Sequence, residues 1–289
     1  STTFMYVIPD APVPPDGNCD ENENAYSYHP SPSLDSYEIS FCTGREMAGV
    51  LPGMMCMTPG GLAKECESLI PDACNDETSF SYAGQEYDIV PIGEQCWMAE
   101  NLNVGTAKLN NEVLSTSTPE KYCYGATDTE VDPSNNCAIY GGLYTWDAAM
   151  QGATNPGAQG LCPSGWHIPD EDDWNGLTNY LSSDNNYWCD GNPSYIAKAM
   201  ASNNYWNSTT SLCAVGDNLS LNNLSGFSAV GSGLRIHTSS FVNIGSYALL
   251  WSSSAKGYYM NIARISGTVS HQHETHSDYY GLSVRCVKD

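Results

Sequence analysis

Apolar and polar positions alternate through much of this chain, and helical periodicity is confined to a few short stretches. Tyr26 and Tyr28 alternate with polar neighbours, a Pro/Ser turn follows, and Tyr37, Ile39 and Phe41 alternate again before Cys42. Period-two alternation on both sides of a turn predicts a β-hairpin. Ahead of it, Pro9, Pro12, Pro14 and Pro15 predict an extended connector rather than a helix. Residues 47–61 form a second turn-rich strand region, and residues 62–70 are long enough for one or two helical turns only. A polar run at 75–80 predicts a boundary between a β-rich region, 1–78, and a larger one, 79–289.

The larger region begins with a short strand, Tyr87–Gly93, and a dense aromatic and methionine cluster over 94–103. Residues 140–153 predict a helix with Tyr144 and Ala148 on one face and Trp146 and Met150 on the next. A turn at 161–169 leads to a second helix. Asp170 serves as its N-cap, and Glu171, Asp172 and Asp173 lie in the first turn, where the helix dipole favours anions. Trp174, Leu177 and Leu181 then share one face. A further short helix covers 194–202. From Gly226 onward the pattern is β, with Gly/Ser-rich breaks between alternating runs. Two main helices followed by antiparallel strands predict an α+β fold.

Charge narrows the functions available. The 289 residues carry 33 Asp+Glu against 10 Lys+Arg, a net charge of −23. Affinity for nucleic acid and for anionic membranes rests on Lys/Arg, so neither partner is expected. No run of about 18 apolar residues could cross a bilayer. No signal-peptide pattern is present. The chain opens at Ser1 without a methionine, as expected of a mature or truncated product. Charged residues make up only 15%, and 19 Tyr stand against 5 Phe. A neutral-polar, aromatic surface suits an exported protein.

The 12 cysteines include no CxxC pair, so a zinc ribbon is not indicated. Six disulfides formed in an oxidising compartment are expected instead. Connectivity is not fixed by spacing. Local pairing suggests Cys19–Cys42, Cys56–Cys66, Cys74–Cys96, Cys123–Cys137 and Cys189–Cys213, which leaves Cys162 with Cys286.

Several motifs occur in order over about 200 residues: Tyr87–Gly93, Gln95-Cys96-Trp97-Met98 to Asn103, Gly142-Leu143-Tyr144-Thr145-Trp146, Cys162-Pro163-Ser164-Gly165-Trp166-His167, Gly226-Phe227 and Ser283-Val284-Arg285-Cys286-Val287. From about residue 84 to 289 the chain resembles the Fibrobacter succinogenes major paralogous domain. The resemblance implies a C-type-lectin-like fold in secreted or surface proteins of bacteria. Residues 1–70 resemble the soluble part of a type IV pilin or pseudopilin. Met5–Pro12, Tyr26–Tyr28, Tyr37–Cys42 and Thr58-Pro59-Gly60-Gly61 carry that likeness, while the long apolar pilin helix is absent from this sequence.

Candidate chemistry follows from a few clusters. His271, His273, Glu274 and His276 could ligate zinc, copper or nickel, because His271 and His273 share a face on a strand. Asp128, Glu130 and Asp132, beside Cys123 and Cys137, are the better candidate for calcium, with Asp16, Asp20 and Glu21 as the other acidic loop. Against both stands the reading of merely solvated loops. The Glu-Pro-Asn triplet of sugar-binding C-type lectins is absent. Trp188, Tyr195, Tyr205 and Trp206, amid Asn and Ser, are candidates for ligand recognition. Five other tryptophans, Trp97, Trp146, Trp166, Trp174 and Trp251, are expected in the core. Asn207, Asn218 and Asn223 begin three sequons, which predicts an exposed segment.

Neither a GxSxG elbow nor a carboxylate pair free of a capping role points to catalysis, and no catalytic residue is assigned. The expectation is an extracellular protein at the bacterial cell surface. It would be a filament subunit pairing with copies of itself and displaying a domain that attaches to glycans or proteins. A surface or secreted adhesin that binds polysaccharide is the alternative, with a secreted enzyme as the third reading.

Overall fold

The computed structural model describes residues 27–30, 37–43, 53–58, 61–63, 72–237, 240–275 and 278–289. The chain divides into two compact units, Ser1–Asp72 and Ala73–Asp289. The division falls upstream of the polar run used to set the boundary at 78/79. Cys74 is bridged to Cys96 and Phe80 stacks on Trp166 at 4.9 Å, so residues 73–80 belong with the second unit.

In the first unit β1 (Ser27–Pro30), β2 (Tyr37–Thr43), β3 (Gly53–Thr58) and β4 (Gly61–Ala63) form an antiparallel meander in that order. The expected hairpin is β1–β2, with Tyr28 opposite Ile39. Ile39 is buried. Leu62 and Ala63 lie in β4 rather than in a helical turn. The proline-rich start, Asp16, Asp20, Glu21, Cys19, Cys66, the Cys56 side chain and most of the pilin-like stretch lie outside the described residues. Cys42 is disulfide-bonded.

The second unit is a mixture of short strands and few helices, α+β as the pattern predicts. Its strands begin with β5 (Ser79–Tyr82), β6 (Gln85–Ile92), β7 (Gln95–Met98), β8 (Thr106–Ala107) and β9 (Glu120–Lys121). Helices α1 (Asn136–Tyr140) and α2 (Trp146–Met150) precede β10 (Trp166–His167), α3 (Glu171–Ser183) and α4 (Ala197–Met200). Strands β11 (Leu234–Arg235), β12 (Phe241–Val242), β13 (Tyr247–Trp251), β14 (Tyr258–Ala263), β15 (Val269–His273) and β16 (Val287–Lys288) complete it. One sheet has the order β10-β16-β7-β6-β5, another β13-β14-β15. The last strand thus lies between β10 and β7, and apart from β10 the chain between Met98 and Val287 forms loops, the helices and the smaller sheets.

Only α3 is a helix of ordinary length. Asp170 caps it as expected: its side chain accepts from the backbone N–H of Asp172 and Asp173, while Asp173 accepts from the N–H of Asp170. Trp174, Leu177 and Leu181 face the core. The helix expected over 140–153 shrinks to five residues, so there is one main helix where two were expected. Tyr144 is extended, exchanging backbone hydrogen bonds with Leu282 at 2.8 and 3.0 Å, and Leu143 does the same with Tyr122. Pairing to a distant strand satisfies those backbone groups better than a short helix would, and Thr145 then caps the turn that remains.

The core is aromatic. Trp97 stacks on Trp174 at 4.9 Å with Phe227 edge-on at 5.6 Å. The Trp251 indole donates to the Tyr144 carbonyl and the Trp146 indole to that of Ser252. All five tryptophans assigned to the core are buried. Four bridges hold the unit: Cys74–Cys96, Cys123–Cys137, Cys162–Cys286 and Cys189–Cys213. Every one pairs as the local reading suggested. The bridges fit an extracellular protein, and among the described residues no helix is long and apolar enough to cross a membrane.

Candidate ligand-binding cleft

Six chain segments meet at a cleft of about 260 Å³. Gln85 and Asp88 come from β6, and Glu100, Asn101 and Asn103 from the turn after β7. One wall is α1 and Gly141; another is the loop Ser202–Tyr205; Ser228, Val230 and Arg285 complete the lining. Each wall is pinned by a bridge. Cys123–Cys137 ties down α1, and Cys189–Cys213 closes the segment that carries Tyr205. Gly141 must be glycine: its φ is +77°, and a Cβ there would meet the Asn101 Cβ at 2.7 Å and its carbonyl oxygen at 2.9 Å.

Arg285 is the unusual group. It is fully buried, and every acceptor it reaches is neutral: the carbonyls of Phe227 and Ser228 and the Asn101 Oδ1 at 2.8 Å. Its guanidinium lies over the Phe227 ring, 4.3 Å from the centroid. Burial pulls its pKa down to about 9, and the field of Glu100 opposes that. Its Nε has no partner among the described residues, nor does the buried Asn103 Oδ1. Asn103 is otherwise held through its Nδ2, which donates to Gln85, and its N–H, which donates to the Tyr87 hydroxyl. Glu100 accepts from the Asp88 N–H at the rim.

The chain matches the family model of the Fibrobacter succinogenes major domain over residues 90–288. It belongs to this family. No match was found among curated proteins or among solved structures. The matched segment includes Arg285, Asn101 and Asn103, so most of the cleft is built from the major domain itself; Gln85 and Asp88 lie just ahead of it.

The residues singled out from the sequence scatter. Of the aromatic set, Tyr205 reaches the cleft. It is half-exposed, edge-on to Tyr140 at 5.6 Å, with φ at +64°. Trp206 is not on the surface: alternation at the loop turns it inward, where its indole donates to the Ala229 carbonyl. Trp188 is partly buried and donates to the Leu181 carbonyl. Tyr195 packs beside Gly267, away from the cleft.

Among the described residues the acidic metal candidates do not assemble. Among the described residues the one group with metal-ligand spacing is Cys123, Asp132 and Cys137, and its two sulfurs form a disulfide. Asp132 caps α1, accepting from the N–H of Asn136 at 2.7 Å and of Cys137 at 3.2 Å. Asp128 and Glu130 are exposed and do not join it. His271 and His273 lie on β15, opposite Met260 and Tyr258. His271 borders a pocket of about 40 Å³ with Glu171 and Trp174, and partial burial lowers its pKa. His273 packs on Tyr258 and its Nε2 lies 3.2 Å from the Lys256 carbonyl. His276 lies outside the described residues.

Sequence reading missed Asn101, Asn103 and Arg285 as site residues. Arg285 carried a signal: it is a lone cation inside an apolar terminal strand pattern, in a chain with very few cations.

Proposed function

We propose that the chain is an extracellular structural and binding protein. In this reading it is a pilin-like filament subunit that associates with copies of itself and displays a C-type-lectin-like major domain for attachment at the bacterial cell surface, without a catalytic role. The observation that carries the binding half is the cleft, whose two walls are each fixed by a disulfide and whose floor holds unpaired polar atoms. Preformed, polar-lined concavities on a rigid scaffold are what ligand recognition uses. The pairing of β16 with β7, with long loops cast out between, supports the lectin-like description. The meander β1–β4 and the likeness of residues 1–70 to pilins support the filament half.

Immunoelectron microscopy of producing cells, with antibody against residues 84–289, tests the reading. Label along filament shafts is the expected result. Label confined to the cell body or to tips overturns the major-subunit reading and leaves a surface adhesin.

A further inference from the structure

We propose that the Arg285 cleft binds a neutral, hydroxyl-rich pyranose unit, with Tyr205 as the platform for the sugar ring. The inference rests on the reading of the major domain as a binding module and names the ligand class of that site.

Charge decides the class. The cleft presents an unpaired buried donor, Arg285 Nε, and an unpaired buried acceptor, Asn103 Oδ1. Leaving such groups unpaired costs about 1–3 kcal/mol each. An anion would suit Arg285 but would face Glu100, Asp88 and the Asn103 oxygen. A cation would suit those oxygens but would face a buried guanidinium with no carboxylate in hydrogen-bonding contact. A hydroxyl group donates and accepts at one atom. Hydroxyls on one ring therefore suit a lining that mixes donors and acceptors, and Gln85, Asn204 and Ser202 offer further polar groups there. The net charge of −23 adds a general field against polyanions.

Tyr205 supplies the other half of sugar recognition, an apolar face beside polar groups. A bulky residue at φ +64° is strained by about 1–3 kcal/mol, and such strain gathers where a side chain must be presented. Tyr140, at the end of α1, packs edge-on against the ring. The Cys123–Cys137 and Cys189–Cys213 bridges hold the two tyrosine-bearing segments, so little ordering is left to the ligand.

The test uses the whole chain and five pyranose probes in three charge classes. These are neutral methyl pyranosides of glucose, galactose and mannose, methyl glucuronide, and methyl glucosaminide, read by saturation-transfer NMR and calorimetry. At least one neutral glycoside is expected to bind, and to bind more tightly than both charged analogues. Tyr205→Ala is expected to weaken it by about tenfold, while Tyr205→Phe retains it and Tyr258→Ala, on β14, leaves it unchanged. Thermal melts of each variant separate lost binding from lost folding. If no neutral glycoside binds, if a charged analogue binds better, or if folded Tyr205→Ala binds as the wild type does, the proposal fails. Filament labelling that persists in those cases leaves the structural reading standing; loss of filament labelling with glycoside binding intact does the reverse.

Discussion

At the scale of single residues, two of the buried cations, Arg285 and Lys198, show how a chain poor in Lys and Arg uses them. Lys198, on α4, is buried, and its ammonium donates to the carbonyls of Ala214, Asp217 and Asn218. It ties the loop after Cys213 to the helix, much as a bound ion would. Burial lowers its pKa, and the carbonyl cage keeps it useful as a charge. Replacing it with methionine keeps the stem and removes three donors. Lys198→Met is therefore expected to cost about 2–4 kcal/mol, through orphaned carbonyls rather than a cavity. Urea denaturation gives the number, and a loss within a few tenths of wild type would show the carbonyls to be hydrated instead. Lys198 was not legible as a buried cation from the sequence. A lysine amid the alanines of residues 194–202 reads as a solvent-facing position, because only the fold brings the 214–218 loop over it.

Elements were legible where local chemistry alone decides them. The Asp170 capping box and the Trp174–Leu177–Leu181 face were readable because caps and periodicity act within a few residues. Residues 140–153 misled because tertiary pairing with Leu282 and Tyr122 outweighs a modest helical propensity. The start of α3 also carries a pH-dependent junction. His167, on β10, bonds Asp173 through Nε2 at 2.9 Å and Asp289 through Nδ1 at 2.7 Å. The Asp173 bond raises the histidine's pKa; burial opposes it and Asp289 adds to it. Burial pushes Asp173 upward, but the bonds from His167 and the Asp170 N–H outweigh it and leave its pKa below the usual 3.8. The histidine's contribution is fully present below its unfolded pKa of 6.5 and is lost as pH rises through the higher folded value. Asp173 contributes above its unfolded value and loses this as pH falls through the folded one. Wild type is thus expected to exceed His167→Gln by about 1–2 kcal/mol at pH 5–6, with the gap shrinking as pH rises through the raised folded pKa. Melting temperatures of both proteins from pH 4.5 to 9 check it; a gap that widens with pH would show the pair to be held as neutral groups.

Gly141 joins an element to the site. Its positive φ lets α1 end against Asn101, which in turn bonds the Tyr140 carbonyl, Ser283 and Arg285. A methyl group at Gly141 would meet backbone on one side and a left-handed conformation on the other. Gly141→Ala is expected to destabilise by about 1–3 kcal/mol and to loosen the cleft wall. Circular dichroism melts measure the first effect, and faster amide exchange at Asn101–Asn103 than in the rest of the β6–β7 sheet measures the second.

Across the whole molecule, the cleft could not be read ahead of the fold because its lining runs from Gln85 to Arg285, and apart from the β6–β7 hairpin no local motif joins its segments. What was legible at this scale was covalent: Cys162 and Cys286 were the pair left over once the nearer cysteines were matched. Their bridge spans a sequence separation of 124 and brings the loop before β10 to the residue preceding β16. The strand it anchors lies between β10 and β7, so the bridge closes the sheet on which the aromatic core rests. Loop-closure entropy for that length is worth about 5 kcal/mol, more than either of the shorter bridges at the cleft. It acts on the unfolded chain, however, whereas the Cys123–Cys137 and Cys189–Cys213 bridges act locally on the walls of the site. The two kinds of bridge should therefore separate by measurement. Replacing Cys162 and Cys286 with serine is expected to lower global stability by about 3–5 kcal/mol while leaving the shape of the cleft intact in the folded fraction. Replacing Cys189 and Cys213 is expected to cost about 2–4 kcal/mol but to raise amide exchange selectively over residues 202–206. Calorimetry and hydrogen exchange on the two variants decide it: uniform exchange in both would mean that the cleft walls are held by the core and not by their own disulfides.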